Sequence, residues 1–422
     1  MKPRAPFDAA RLEVLFGPLG HHARIGLAVS GGPDSLALMM LYSAWRPDGP
    51  RPEAIVYTVD HGLRPESADE ADFVVTLAAR YGLAARSLRW KGPYPDAGIQ
   101  AAARVARYRL IGDAMAEDGA SVLATGHQRD DQAETVLMRL AHGSGASGLA
   151  GMRSEAIVEG VNVLRPLLDC GRDELAALVA AEGVAAIADP SNTNPAFERV
   201  RWRQALADLA PLGLTAERLS TFATRMARID RLAEAETMRF LDSNVVVDGF
   251  GVCTFDRATF SDVPAEVAVR TLMACLGFAG AGQKEKLAAV EALTEAVRAG
   301  GDVRETLMGA QIVAEDRRYL VFREARRMSE PAVSLSPDMP VVFDKRFRVE
   351  ARRAGFTLHP GEALSRETVE AWLGIAVNLP MAAVRAAPVV RDAEDHILAL
   401  GTHVRDEALT VALAATPFAR TR

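Results

Sequence analysis

Alternation constrains this chain more than any other feature of its sequence. Four short apolar runs, Arg24–Val29, Ala54–Val59, Ala84–Trp90 and Ser121–Thr125, are separated by longer stretches with helical spacing, among them Ser67–Tyr81 and Gly98–Glu117. Strands that alternate with helices run parallel, so the pattern predicts an α/β protein built on a doubly wound parallel sheet. In such sheets ligands bind outside the carboxyl ends of the strands. The loops after Val29, Val59 and Thr125 should therefore converge on one crevice, and those loops also hold the unusual residues.

The first of them, Ser30-Gly31-Gly32-Pro33-Asp34-Ser35, runs from a strand into the apolar helix Leu36–Tyr42. Its glycines let backbone approach a phosphate without a Cβ clash, Pro33 suits a first helical turn, and the helix start offers free N–H groups and a positive dipole end. Ser30 and Ser35 can add hydroxyl donors. Asp34 is a poor neighbour for a bare anion, so its presence suggests a bridging magnesium ion. The hexapeptide lacks the Lys of a Walker loop and the third glycine of a dinucleotide fingerprint. A strand-to-helix turn capped by Asp34 or Ser35 would read similarly if only Ser-Gly-Gly were present.

Beyond Asn192 the pattern changes. Glu217–Leu241, Pro264–Leu276 and Lys284–Val297 have helical spacing, Gln311–Arg323 reads as a hairpin, and the Pro- and Ser-rich segment Ser329–Pro340 reads as a linker. At 422 residues and 49% hydrophobic, the chain is too long for one ordinary core. The expected division is 1–200 catalytic, 201–328 mostly helical, and 329–422 a small mixed α+β domain. Charged residues Arg4, Asp8, Arg11 and Glu13 break up the start of the chain, unlike a secretory signal, and no run approaches the ~18 apolar residues of a membrane span. A cytoplasmic protein with no membrane partner is expected. Cys170, Cys253 and Cys275 lie too far apart in sequence for a C-x-x-C pair or a disulfide framework.

The net charge of -6 argues against a general nucleic-acid coat but leaves room for a local basic patch. Lys345, Arg346, Arg348, Arg352 and Arg353 form one on a segment that alternates like a strand, a pattern a solvated surface strand would share. A second basic run, Arg199-Val200-Arg201-Trp202-Arg203, combines three arginines with an aromatic side chain and offers a grip on RNA phosphate and a stacking surface. A helix start with Trp202 buried would read the same way.

The hexapeptide resembles the S-G-G-x-D-S signature of the PP-loop ATP pyrophosphatases, which are Rossmann-like and cleave ATP between its α and β phosphates. Further strings narrow the resemblance: Asp60-His61-Gly62-Leu63-Arg64-Pro65, Ala102-Ala103-Arg104-Val105-Ala106-Arg107-Tyr108, and Gly126-His127-Gln128-Arg129-Asp130-Asp131-Gln132-Ala133-Glu134-Thr135. With Gly143-Ser144-Gly145, Gly148-Leu149-Ala150-Gly151, Arg165-Pro166-Leu167-Leu168 and Asp189-Pro190-Ser191-Asn192, the first 200 or so residues resemble the tRNA(Ile)-lysidine synthetase family. Val200 departs from that family, which usually has Asn there.

The resemblance implies an enzyme that uses ATP and Mg2+ to couple L-lysine to C2 of the wobble cytidine of isoleucine tRNA, through an adenylated base. It implies that Ser30, Gly31, Gly32, Pro33, Asp34, Ser35, Asp60 and His61 border the nucleotide, that Asp34 and Asp131 hold magnesium, and that Arg107 is essential. Arg107 and His127 would offset charge developing at the α-phosphate, with proton transfer as another role for His127. His127 and Asp131 share a face if their helix begins at Gln128 or earlier; Asp130 and Asp131 would also serve as caps. RNA contacts are expected from Arg199, Arg201, Arg203, Lys345, Arg346, Arg348 and Arg352. A homodimer is left open, and no residue marks the lysine pocket. The rival readings are a PP-loop tRNA thiolation enzyme and an inactive tRNA-binding homologue.

Overall fold

The computed structural model describes residues 7–95, 97–187, 194–282, 286–325, 331–360, 364–414 and 418. The chain divides into two compact units, one running to Asp230 and the other starting at Arg231.

The first unit opens with α1 (Ala9–Phe16) and then alternates as expected: β1 (Arg24–Ala28), α2 (Pro33–Ala44), β2 (Glu53–Asp60), α3 (Ser67–Arg80), β3 (Ala84–Arg89), α4 (Ile99–Asp118) and β4 (Leu123–Thr125). After α5 (Arg129–Ala141) and α6 (Ala146–Leu149) come two short strands that the alternation did not reveal, β5 (Glu155–Val158) and β6 (Val161–Leu164). The sheet order is β3-β2-β1-β4-β6-β5, parallel throughout except for the β5–β6 pair. The chain reverses its direction of winding at β1, which pairs with β2 on one side and β4 on the other. Such a switch point leaves a crevice at the carboxyl ends of the strands. The helix α2 that follows β1 is buried from Leu36 through Ala44, as expected for a helix apolar all round. This makes α2 a rigid mount for the loop that begins it.

The unit ends with α7 (Arg172–Ala181), α8 (Glu198–Leu209) and the first half of α9 (Ala216–Asn244). Leu206, Leu219 and Ala223 bury against α5 through Ala133, Val136 and Leu137, and Val200 is buried as well. Asp189-Pro190-Ser191-Asn192 lies outside the described residues.

The second unit has two of the expected helices, α11 (Ala265–Ala279) and α12 (Leu287–Arg298), together with a short helix, α10 (Arg257–Ser261), and a five-stranded antiparallel sheet that the mostly helical reading of 201–328 did not include. Its strands are β7 (Val246–Val247), β8 (Cys253–Asp256), β9 (Arg304–Leu307), β10 (Ala310–Ala314) and β11 (Arg318–Arg323), in the order β7-β8-β11-β10-β9. The hairpin expected at Gln311–Arg323 is β10–β11, with Ile312 opposite Val321. Then come β12 (Val333–Leu335), β13 (Val341–Phe343), β14 (Phe347–Ala351), β15 (Phe356–His359), α13 (Arg366–Leu373), β16 (Val389–Arg391), β17 (Ile397–Leu400), β18 (His403–Val404) and β19 (Leu409–Leu413). They form the sheets β12-β15-β16-β17-β18 and β13-β14-β19.

Two expectations are corrected here. The segment read as a linker contains β12, paired with β15 and burying Leu335, because edge pairing tolerates prolines on either side of a short strand; Ser329 and Glu330 lie outside the described residues. The boundary expected at residue 328 runs through a shared core, in which Val313, Leu320 and Phe322 cluster with Phe347, Val349, Val389 and Leu400. Among the described residues, no helix is long and apolar enough to cross a membrane.

Candidate active site

The three loops meet as the topology requires, around a cavity of about 540 Å³. Ser30, Gly32, Pro33, Asp34 and Ser35 line it from the first loop, His61, Leu63 and Arg64 from the second, and Gly126 and His127 from the third. Two glycines set the spacing. Gly31 has φ +82, and a Cβ there would fall 2.2 Å from Ile187 Cδ1, whose residue also donates its N–H to the Gly31 carbonyl at 2.9 Å. A Cβ on Gly126 would lie 2.9 Å from the Asp34 carbonyl oxygen. Only bare backbone lets the third loop rest on the first turn of α2.

Within the first loop, Ser35 Oγ donates to the Gly32 carbonyl at 2.9 Å and accepts the Ser30 N–H at 3.1 Å. The loop is thus closed by its own hydroxyl, with Gly32 as N-cap and Pro33 at the first helical position. Asp34, in the first turn, has a buried Oδ1 without a hydrogen-bond partner. Its carboxyl is pushed up to about 6, first by burial and then by the charge of Asp131. Two carboxylates opposed in this way, half-buried Asp34 with an unsatisfied oxygen and buried Asp131, could hold a cation between them.

Asp131 is more heavily engaged. Its Oδ2 accepts the Gln128 N–H at 3.1 Å and its Oδ1 accepts Arg199 Nη2 at 2.8 Å. Burial, again, pushes its pKa up, although Arg199 opposes the shift. It therefore caps α5 and faces the cavity at once, and each oxygen retains a lone pair for a further partner.

Sequence reasoning did not single out the group that organises this side of the cavity. Glu134, one turn beyond Asp131, is fully buried and accepts Arg172 Nη2 at 2.9 Å, Arg199 Nε at 2.8 Å and Arg203 Nε at 2.8 Å. Those pairs hold its pKa down against burial. The Glu134 spacing from Asp131 was visible; its partners, brought in by α7 and α8, were not. Arg199 and Arg203, expected at RNA, line the cavity and are bound to α5 carboxylates. Arg201 is exposed and donates to the Pro195 and Ala196 carbonyls, and Trp202 packs toward the α5 cluster.

The premise for His127 is also revised. Helix α5 starts at Arg129 with Gln128 as N-cap, so His127 stands before the helix and shares no helical face with Asp131. Both still line the cavity. His127 Nδ1 lies 2.8 Å from Thr125 Oγ1, and its pKa is lowered to about 3 by burial and then by Arg165, Arg199, Arg104 and Arg107. The imidazole is neutral at pH 7 and can act as a hydrogen-bond donor rather than as a cation. Arg107 Nη2 lies 3.2 Å from His61 Nε2, and both residues line the cavity. Asp60 does not: its Oδ1 accepts the Gly62 N–H at 2.8 Å and the Ser67 hydroxyl at 2.5 Å, which shapes the loop that carries His61.

The basic segment of the second unit divides. Lys345, Arg348 and Arg352 are exposed, while Arg346 is 1% exposed, donating from Nε to Asp344 at 2.9 Å and from Nη2 to the Ala386 carbonyl at 2.5 Å. Arg346 is thereby removed from the RNA-binding set. The turn before β14, with Asp344 and Lys345 both at positive φ, folds it inward.

A parallel sheet with a glycine-rich phosphate loop at its switch point, facing paired carboxylates, defines an ATP-using protein of the PP-loop class. The model of the PP-loop domain matches residues 6–210. The tRNA(Ile)-lysidine synthase of a Bradyrhizobium species is 42% identical over 332 residues, covering 73% of this chain and 92% of the relative. That of Rhodopseudomonas palustris is 44% identical over 321 residues, covering 72% and 91%. That of Rhizobium meliloti, 34% identical, covers 94% of this chain and 88% of its own length. The chain belongs to the tRNA(Ile)-lysidine synthase family.

Proposed function

We propose that this protein converts the wobble cytidine of isoleucine tRNA to lysidine, using ATP to activate the base and L-lysine as the incoming amine. One observation carries the reading: the phosphate loop, the Asp34–Asp131 pair, Arg107 and His127 all face a single cavity in a chain whose relatives bear that name.

The cytosine C2 oxygen is a very poor leaving group. It attacks the α-phosphorus of ATP, the bond to the β-phosphate oxygen breaks, and pyrophosphate departs. The lysine ε-amine, having lost a proton, then attacks C2 and AMP leaves with the former C2 oxygen. In the first step, the loop Ser30–Ser35 and the N-terminus of α2 hold the β and γ phosphates through N–H groups and hydroxyls. Arg107 faces the α-phosphate with a fixed cation, and neutral His127 adds a hydrogen bond as charge develops there. Asp34 and Asp131 would hold magnesium, which when bound offsets phosphate charge. Glu134 positions Arg172, Arg199 and Arg203 beside them. The RNA body would be gripped by exposed cations, of which Arg201, Lys345, Arg348 and Arg352 remain from the expected set.

Sulfur transfer is disfavoured by chemistry, since Cys170, Cys253 and Cys275 are all buried and none lines the cavity. The test is mass spectrometry of isoleucine tRNA incubated with enzyme, ATP and lysine. A gain of lysine less one water on one cytidine, absent without ATP, is expected; an unchanged mass, or a gain of sulfur, sinks the proposal.

A further inference from the structure

We propose that the Tyr94 ring is a stacking shelf, outside the cavity mouth, for a base of the anticodon loop next to the one that reacts. The inference rests on the tRNA-modifying reading above. Tyr94 is 47% exposed, yet it is held firmly from beneath. Its ring meets buried Trp90 edge-on, 4.7 Å between centroids, and its hydroxyl donates to the Trp90 carbonyl at 2.9 Å. The residue below it is Gly62, at φ +63, where a Cβ would come within 2.9 Å of the Tyr94 hydroxyl. A side chain at position 62 would lift the ring away.

The same aromatic pair borders the reaction site. Trp90 lies edge-on to His61 at 6.1 Å, and His61 contacts Arg107. His61, Leu63, Arg104 and Arg107 line the cavity, and Leu63 is itself 47% exposed; Tyr94 is not in the lining. A small ligand seated inside does not reach the Tyr94 ring. A polynucleotide that inserts one base must carry its neighbours across the rim, where an exposed ring, joined through Trp90 and His61 to Arg107, offers a stacking face on the same side as a phosphate-binding cation. That combination suits single-stranded nucleic acid.

Equilibrium binding of an isoleucine anticodon stem-loop, with and without an abasic nucleotide at each anticodon position, tests the shelf on the full-length protein. Tyr94→Ala should weaken RNA binding roughly five- to a hundredfold, the range for losing one base–aromatic stack, while Tyr94→Phe binds normally. One abasic position should weaken wild type equally and Tyr94→Ala no further, the non-additivity of partners in contact. The affinity for ATP should stay within about twofold. RNA affinity unchanged in Tyr94→Ala overturns the proposal. So does equal damage from Tyr94→Phe, which would make the hydroxyl tie the relevant feature, or a loss of ATP affinity, which would assign the ring to adenine. The lysidine assay on wild type is read separately: its failure would sink the functional reading whatever the binding cycle shows.

Discussion

Two clusters of arginine and aspartate lie within this chain, and they are built to different ends. In the second unit, Asp344 accepts from Arg323 at 3.0 Å and Arg346 at 2.9 Å, and the guanidinium groups also donate to the carbonyls of Gly280, Gly309 and Ala386. Cations outnumber the acid, and backbone oxygens take up most of the remainder; Arg323 Nε makes no hydrogen bond but lies 3.0 Å from the Asp344 carboxylate, so its charge is matched. In the first unit, Asp34 and Asp131 oppose each other, Asp34 keeps a buried oxygen without a partner, and Arg172, Arg199 and Arg203 gather on Glu134 instead. A closed cluster holds a fold together. An open one stores an unmet interaction that a ligand can satisfy, which is where function is to be sought.

Asp34→Asn should break the comparison most sharply. Pyrophosphate release with isoleucine tRNA should fall by at least about a thousandfold, the scale of a lost metal-phosphate interaction. The thermal midpoint should hold or rise, because one of two opposed carboxylates is gone. A lower midpoint with activity retained would make Asp34 a structural cap. Asp344→Ala should do the opposite. Leaving buried Arg346 unpaired costs on the order of 3–5 kcal/mol, read as a lower denaturant midpoint, while turnover per folded molecule stays near normal. Unaltered stability there would mean that water reaches the cluster.

What could be read in advance follows the same division. Local pattern exposed β1 to β4 and the Ser30–Ser35 loop, because strand, glycine turn and buried helix are contiguous in the chain. The strands β5 to β9, two to four residues long, are too short for alternation to register, and pairing in the sheets defines them. Arg346 looked like its exposed neighbours until Asp344 and Ala386 were seen to enclose it. Likewise, nothing near Glu134 in sequence announces Arg172 or Arg199, and Ile187 above Gly31 is known only from tertiary contact.

A smaller effect should appear on titration. With its pKa near 3 in the fold against an ordinary 6.5, His127 takes up a proton on unfolding at pH 5. A base depressed in this way contributes stability above pH 6.5 that is lost as pH falls toward 3, so wild type should lose up to about 2 kcal/mol between pH 7 and pH 5 from this group. The groups facing it are Arg165, Arg199, Arg104 and Arg107, all cationic across that window. In His127→Gln the corresponding loss should vanish, as measured by urea unfolding at the two pH values. An identical pH dependence in both proteins would mean that the imidazole is already hydrated or paired.

The smallest expected effect lies on the exposed face beside the closed cluster, and it separates surface charge from buried charge within one segment. Lys345, Arg348 and Arg352 point outward, and Arg348 pairs with Glu350 at 2.5 Å, an exposed pair of little energetic weight. If these side chains meet tRNA phosphate, reversing all three to Glu should weaken tRNA binding and flatten the slope of log affinity against log salt by about two to three units, since each phosphate contact contributes about 0.7–0.9. Stability should be nearly unaffected, because no buried group loses a partner. ATP affinity should not change, as every nucleotide-facing residue belongs to the first unit. Arg346 must be left out of the variant: reversing it would place a carboxylate beside Asp344 in a dry core, and the resulting unfolding would imitate lost binding. An unaltered salt slope in the triple variant would make this face an ordinary solvated strand and move the search for RNA contacts to Arg201 and the arginines of α9.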